Sequence, residues 1–185
     1  MYTTRYNDWY GTDHMLGNDQ YMPYLKDKFE IRLYPMSSQG TGDDFEAGLT
    51  VSTQSLGEFK QSYGVIEDFY GNDSVKFAGK PQLSSVSWVI KGYVGIDTQA
   101  QLVAWSRQVF NDLNEKVGRP SRYMRNAFVV RDSGDGDTSF SRVWEWRGVW
   151  PSELGFGDHD YTASDLVRFN VTLQVSRAIY LGSDF

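Results

Sequence analysis

The chain has 185 residues with 18 basic and 24 acidic side chains, a formal net charge of −6, no cysteine, and 11 Phe, 12 Tyr and 6 Trp. This length suits one domain, and the acidic balance argues against a nucleic-acid binder that works by neutralising phosphates. The missing cysteines exclude a disulfide framework and a thiolate metal site, and no run approaches the roughly 20 apolar residues of a membrane span.

The first eight residues, Met1 to Asp8, lack the basic end and apolar stretch of a signal peptide. The expectation is therefore a cytosol-compatible, single-domain protein over 1–185 with no membrane partner. Of the acids, 17 are Asp and 7 are Glu, and 18 Gly accompany them. Asp and Gly favour turns, whereas Glu favours helix interiors. With so many aromatic residues, the composition points to a mainly β protein.

Residues 1–24 carry Tyr2, Tyr6, Trp9, Tyr10, Tyr21 and Tyr24 with no regular period, which reads as an aromatic N-terminal arm. The β core is expected over 25–176. Lys28–Pro35 alternates, with Phe29, Ile31 and Leu33 on one face, as in a half-buried strand. A Gly/Ser/Asp loop over 36–46 follows, and Ala47–Thr53 alternates again through Leu49 and Val51. Residues 55–73 carry Leu56, Phe59, Tyr63, Val65, Ile66, Phe69 and Tyr70, interrupted by Gly57, Gly64 and Gly71. That pattern is too broken for one core strand and too apolar for a solvated loop, so it predicts a long connection that covers its own domain or a neighbouring subunit.

Val75–Ala78 is a short strand ending at Gly79, and Ser84–Val94 is a longer one with Val86, Trp88 and Ile90 on one face. A helix is predicted over about 98–117. Thr98 and Gln101 match a capping box, and Leu102, Trp105, Val109, Phe110 and Leu113 form an apolar stripe. Gly118 and Pro120 would stop it. Tyr123–Arg131 and Ser139–Val149 flank Asp132-Ser133-Gly134-Asp135-Gly136-Asp137 as a hairpin. Val167–Ser176 alternates through Val167, Phe169, Val171, Leu173 and Val175. Ala178, Ile179, Tyr180, Leu181 and Phe185 make 177–185 an apolar docking tail. All five prolines fall at element edges or in loops by this reading.

The sites for chemistry are weak. His14 and His159 are the two histidines, and His159 lies in the small polar loop Gly157-Asp158-His159-Asp160. Asp132, Asp135 and Asp137 lack the spacing and later bidentate Glu of a calcium loop. Asp43-Asp44 and Asp158/Asp160 could be paired carboxylates, but such pairs in Gly-rich loops are usually solvated. No nucleophile elbow, phosphate loop or dinucleotide fingerprint occurs. Asn72-Asp73-Ser74 and Asn170-Val171-Thr172 match the glycosylation triplet, which means little without a secretion signal. Arg119, Arg122, Arg125 and Arg131 form the dense basic stretch, suited to subunit salt bridges or a solvated face more than to nucleic acid. No catalytic residue, metal or cofactor is expected.

A strand leading into Gly148-Val149-Trp150-Pro151, an acidic loop, and then Phe169-Asn170-Val171-Thr172-Leu173 resembles the C-terminal region of the tail tube proteins of contractile-tailed bacteriophages. The order of the preceding elements over about 25–176 is similar too; only the arm and the C-terminal tail depart from the pattern. Gly148, Trp150, Pro151, Phe169, Val171 and Leu173 carry the resemblance. It implies a β-sandwich or barrel of two antiparallel sheets with one flanking helix and an extended hairpin. It also implies hexameric rings stacked into a tube inside a contractile sheath.

The partners so implied are further copies of the chain, the tail sheath protein, and baseplate and tail terminator proteins, with a tape-measure protein and DNA in the lumen. The location implied is the virion, after assembly in the host cytoplasm. The surplus aromatics predict an intersubunit surface of Leu56, Phe59, Tyr63, Val65, Ile66, Phe69 and Tyr70, joined by Ile179, Tyr180 and Leu181. The acidic balance predicts a negative lumen wall that repels DNA. The alternatives are a tube-initiator or tail-completion protein of the same fold, a monomeric aromatic-rich binding module, and, last, an enzyme built on His159.

Overall fold

The computed structural model describes residues 26–36, 46–93, 95–131, 142–157 and 165–182. The arm at 1–24, both histidines, and Asp43, Asp44, Asp132, Asp135, Asp137, Asp158 and Asp160 lie outside them. The elements in chain order are β1 (Phe29–Pro35), α1 (Ala47–Val51), β2 (Thr53–Leu56), β3 (Gln61–Tyr70), β4 (Asp73–Leu83) and β5 (Val86–Lys91). Then come α2 (Thr98–Val109), β6 (Phe110–Asn111), β7 (Lys116–Val117), α3 (Pro120–Tyr123), β8 (Arg125–Arg131), β9 (Arg142–Gly155), β10 (Arg168–Gln174) and β11 (Arg177–Gly182). The protein is mainly β, and every strand pairing among the described residues is antiparallel.

Strands follow the order β1-β8-β9-β10-β5-β2, with β11 also on β9. The long strand β9 belongs to two sheets. Its first part, through Val149, pairs with β8 and β11, whereas Trp150 to Gly155 pairs with β10. Gly148 stands at the change, with φ of +64°, a conformation that an L side chain adopts only at a cost. The Gly148-Val149-Trp150-Pro151 motif is thus a corner inside a strand. Pro151 sits beside the register shift at Thr172/Leu173, where a missing N–H does no harm to the ladder.

The alternating residues meet where the pattern predicts. Ile31 and Leu33 of β1, Val86, Trp88 and Ile90 of β5, and Phe169, Val171 and Leu173 of β10 are buried in one core with Trp146, Val149 and Val175. Each such side chain contributes about 1.5–3 kcal/mol by leaving water. The Trp88 indole donates to Thr53 Oγ1 at 3.1 Å. Leu102 and Trp105 of α2 close the core, and the Trp105 indole donates to the Tyr123 carbonyl at 2.7 Å. A second cluster, Tyr34, Phe128 and Val143 with Val130 and Leu181, is buried apart from it.

Several expectations are corrected. Ala47–Val51 is one turn of helix, not a strand; only Leu49 is buried there, and Thr50 Oγ1 donates to the Ile31 carbonyl at 2.8 Å. Residues 55–73 are not a long connection: most of the segment is strand, and Asp73–Leu83 runs well past Gly79 and contains Pro81. The helix ends at Val109 rather than 117, because Phe110 is extended and pairs with Val117. Its cap is Asp97, whose side chain accepts from the Ala100 N–H at 2.9 Å, while Thr98 is buried against Ser52. Gly118 is no left-handed stop; its N–H bonds the Val109 carbonyl, and a Cβ there would overlap the Gln108 carbonyl. The stretch 177–182 is a strand on β9.

Candidate assembly surface

The β3–β4 hairpin is the feature the core does not account for. Its base is fixed to the body. The Gly57 N–H bonds the Ser87 carbonyl at 2.6 Å, and the Ser84 N–H bonds the Lys60 carbonyl at 2.9 Å. Phe59 packs on Trp146 and Trp144, with ring centroids 5.5 and 5.8 Å away. Beyond Lys60 all ten residues of β3 are exposed, and so is most of β4. The turn pairs Tyr70 with Asp73 around Gly71 and Asn72. Gly71 has φ of +65°, as a two-residue hairpin turn requires.

Register assigns the faces. Ile66 lies opposite Phe77, and Asp68 opposite Val75; with Tyr70 and Asp73 they share one face. Val65 opposite Ala78, Glu67 opposite Lys76, and Phe69 opposite Ser74 share the other. Both faces carry large apolar groups in water: Phe69 is 72% and Tyr70 87% exposed. An isolated two-stranded ribbon is marginal in water, and its two edges offer unpaired backbone groups.

The residues expected at an interface thus divide. Tyr63, Val65, Ile66, Phe69 and Tyr70 stand free on the hairpin, whereas Leu56 and Phe59 are partly buried against the chain's own core. Of the C-terminal set, Tyr180 packs on Trp144 at 5.0 Å and is half exposed, Ile179 is half-buried, and Leu181 joins the second cluster. Trp150 meets Tyr123 edge-on at 6.0 Å. Pro151, Phe169, Val171 and Leu173 are buried.

The basic stretch divides too. Arg125 is buried: its Nε donates to Glu46 Oε1 at 2.9 Å, its Nη2 to Gln108 Oε1 at 2.8 Å and its Nη1 to the Arg122 carbonyl at 2.6 Å. This guanidinium ties β8 to α1 and α2. A cavity of about 320 Å³ beside it is lined by Ala47, Gly48, Gln101 and Ala104. Arg119, Arg122 and Arg131 are exposed. No cluster of three metal-ligating side chains occurs among the described residues.

The outer face of β10 is polar. Arg168 holds Asp165 at 3.0 Å and Gln54 at 3.1 Å, while Thr172 meets Glu153, and Gln174 meets Ser152. The Leu166 N–H and then Arg168 hold the Asp165 carboxyl below its ordinary value. The small hairpin of β6 and β7 stands where the apolar spacing predicts the end of a longer helix. The turn formers Asn111, Asp112 and Asn114 were its signal.

No protein-family model and no curated protein matches the chain. Solved structures do match in fold. The sheath/tube terminator of the PVC extracellular contractile injection system, in the extended state, aligns over 86% of this chain and 97% of its own at 17% identity and a TM-score of 0.65. The sheath-tube complex of that system aligns over 93% and 98% at 16% identity and a TM-score of 0.65. The SPP1 tail tube aligns over 86% and 80% at 14% identity and a TM-score of 0.52. The fold therefore resembles that of tail tube and tube-terminator proteins.

Proposed function

We propose that the chain is a structural tube subunit of a contractile tail or injection particle, assembling as six-membered rings that stack around a lumen. The observation that carries this reading is the β3–β4 hairpin, apolar on both faces, on a fold like that of tube proteins. Such a ribbon is stable when a neighbour covers it, and exposed apolar surface of this kind marks an interface. Head-to-tail contacts between copies close into a ring or run on as a filament. A sheath protein outside the tube, baseplate and terminator proteins at its ends, and a tape-measure protein within belong to the same proposal. So do the single domain, the virion or particle location, and assembly in the host cytoplasm.

The polar face of β10 suits a lumen wall. It carries Arg168 with Asp165, Glu153, and the amides and hydroxyls of Asn170, Thr172 and Gln174. One cation there stands against two carboxylates, a small negative excess in keeping with a wall that does not hold phosphates. Cargo held by phosphate contacts would demand cations in excess.

A terminator is the second reading, favoured by the equal likeness to a sheath/tube terminator. Size-exclusion chromatography and negative-stain imaging of the purified chain test both. Stacked rings support the tube, single rings that do not extend support the terminator, and a monomer at high concentration overturns both.

A further inference from the structure

We propose that the acidic tip of the β3–β4 hairpin docks on the basic, apolar surface formed by the β6–β7 hairpin and α3 of the next copy of the chain. This inference rests on the assembly reading and names the two surfaces that meet. The tip offers Ile66, Phe69, Tyr70, Val75 and Phe77, all exposed, together with Glu67, Asp68 and Asp73 against the single Lys76. None of these carboxylates has an ion-pair partner among the described residues.

The receiving surface is the complement. Phe110 and Val117 stand opposite one another in the β6–β7 pair. Val117 is 77% and Leu113 82% exposed. Leu113 is held at the tip by its N–H bond to Asn111 Oδ1 at 3.0 Å. Around them stand the exposed Arg107, Lys116, Arg119 and Arg122, again without ion pairs among the described residues, against Asp112 and Glu115 in the turn. In a chain of net charge −6, this is a local excess of cations beside uncovered apolar groups.

A second exposed apolar set, Phe156, Leu166 and Val167, is a poorer match because its arginine, Arg168, is already held by Asp165. The two proposed surfaces are different parts of one chain. Their contact is head-to-tail and can repeat from copy to copy, and charge complementarity sets its register and partner.

The test uses charge reversal and its repair. An Arg119→Glu/Arg122→Glu chain and an Asp68→Lys/Asp73→Lys chain should each raise the concentration needed for assembly about tenfold or more. Both should keep the parent's circular dichroism spectrum and monomer melting temperature, since these side chains have no ion-pair partner among the described residues. The chain carrying all four changes should regain assembly. Because the sequence has no cysteine, Tyr70→Cys with Leu113→Cys in one chain supplies the only two thiols, and oxidising the assembled protein should give a ladder of linked chains. Normal assembly by Arg119→Glu/Arg122→Glu, or the absence of a ladder, overturns the docking while leaving the assembly reading in place. A parent chain that never assembles overturns the assembly reading itself.

Discussion

Replacing Gly148 by alanine tests whether the strand corner is required by the backbone. The residue has φ of +64°, which costs an L side chain about 1–2 kcal/mol. A Cβ would also stand 2.7 Å from Ser176 Oγ and 2.9 Å from Ser176 Cβ, so Ser176 must move. That movement puts at risk its 3.1 Å hydrogen bond to the Gly148 carbonyl, a bond worth about 0.5–1.5 kcal/mol.

Together these give a loss of about 2–3 kcal/mol. For a chain of this size that lowers the melting temperature by roughly 4–12 °C. Urea unfolding followed by tryptophan fluorescence, at a concentration where the chain is monomeric, measures it. Gly155→Ala is the control: its nearest contact would be an ordinary 3.5 Å to the Asn170 carbonyl, so the change should be within about 1 kcal/mol. A double-mutant cycle with Ser176→Gly should return a coupling of about 1 kcal/mol for the steric part. A loss below about 1 kcal/mol in Gly148→Ala would refute the argument.

Other substitutions probe the remaining joints. Phe59→Ala should cost about 1.5–3 kcal/mol and alter the fluorescence of Trp144 and Trp146, whereas Phe69→Ser on the exposed hairpin should change monomer stability by less than about 0.5 kcal/mol; denaturant midpoints compare them. Arg125→Ala should be severely destabilising, at about 3 kcal/mol, while Glu46→Gln should cost less, about 1–2 kcal/mol, since the amide oxygen still accepts from Nε but the buried guanidinium loses its countercharge. In a carboxyl NMR titration Asp165 should titrate below its ordinary value. Because its folded-state value is depressed, the associated stability is present above the unfolded value and lost as pH falls through the folded one. Arg168→Gln should move the carboxyl only part of the way back, because the Leu166 N–H is the larger cause.

What the sequence made legible was burial within the chain itself. The strands β1, β5 and β10 put one face in the core and the other in water, so their residues alternate and their positions follow. On β3 both faces are exposed in the single chain, so Val65, Ile66, Phe69 and Tyr70 follow no one-sided period, and the strand hides as a broken apolar stretch. Leu113 continues the spacing of Leu102 and Val109 by coincidence; the Asn111-Asp112-Leu113-Asn114 turn overrides it. Ala47–Val51 is too short for either period to show, and its conformation is set by tertiary bonds such as that from Thr50 to Ile31. Of the ten residues expected at an interface, the hairpin ones are free, but Phe59 and Leu56 match equally well the aromatic and aliphatic demands of a core.

The long strand β9 has a mechanical consequence. Two sheets held face to face by side chains alone can slide over one another, because packing resists shear weakly. Here a single backbone passes through both, so sliding would have to stretch or tear covalent chain at the Gly148 corner. The hairpin runs on into β2 and β5 of the second sheet. Phe59 at its base also packs on Trp144 and Trp146 of β9, so a pull on its tip is carried into β2 and β5 and shared with the strand that joins the two sheets.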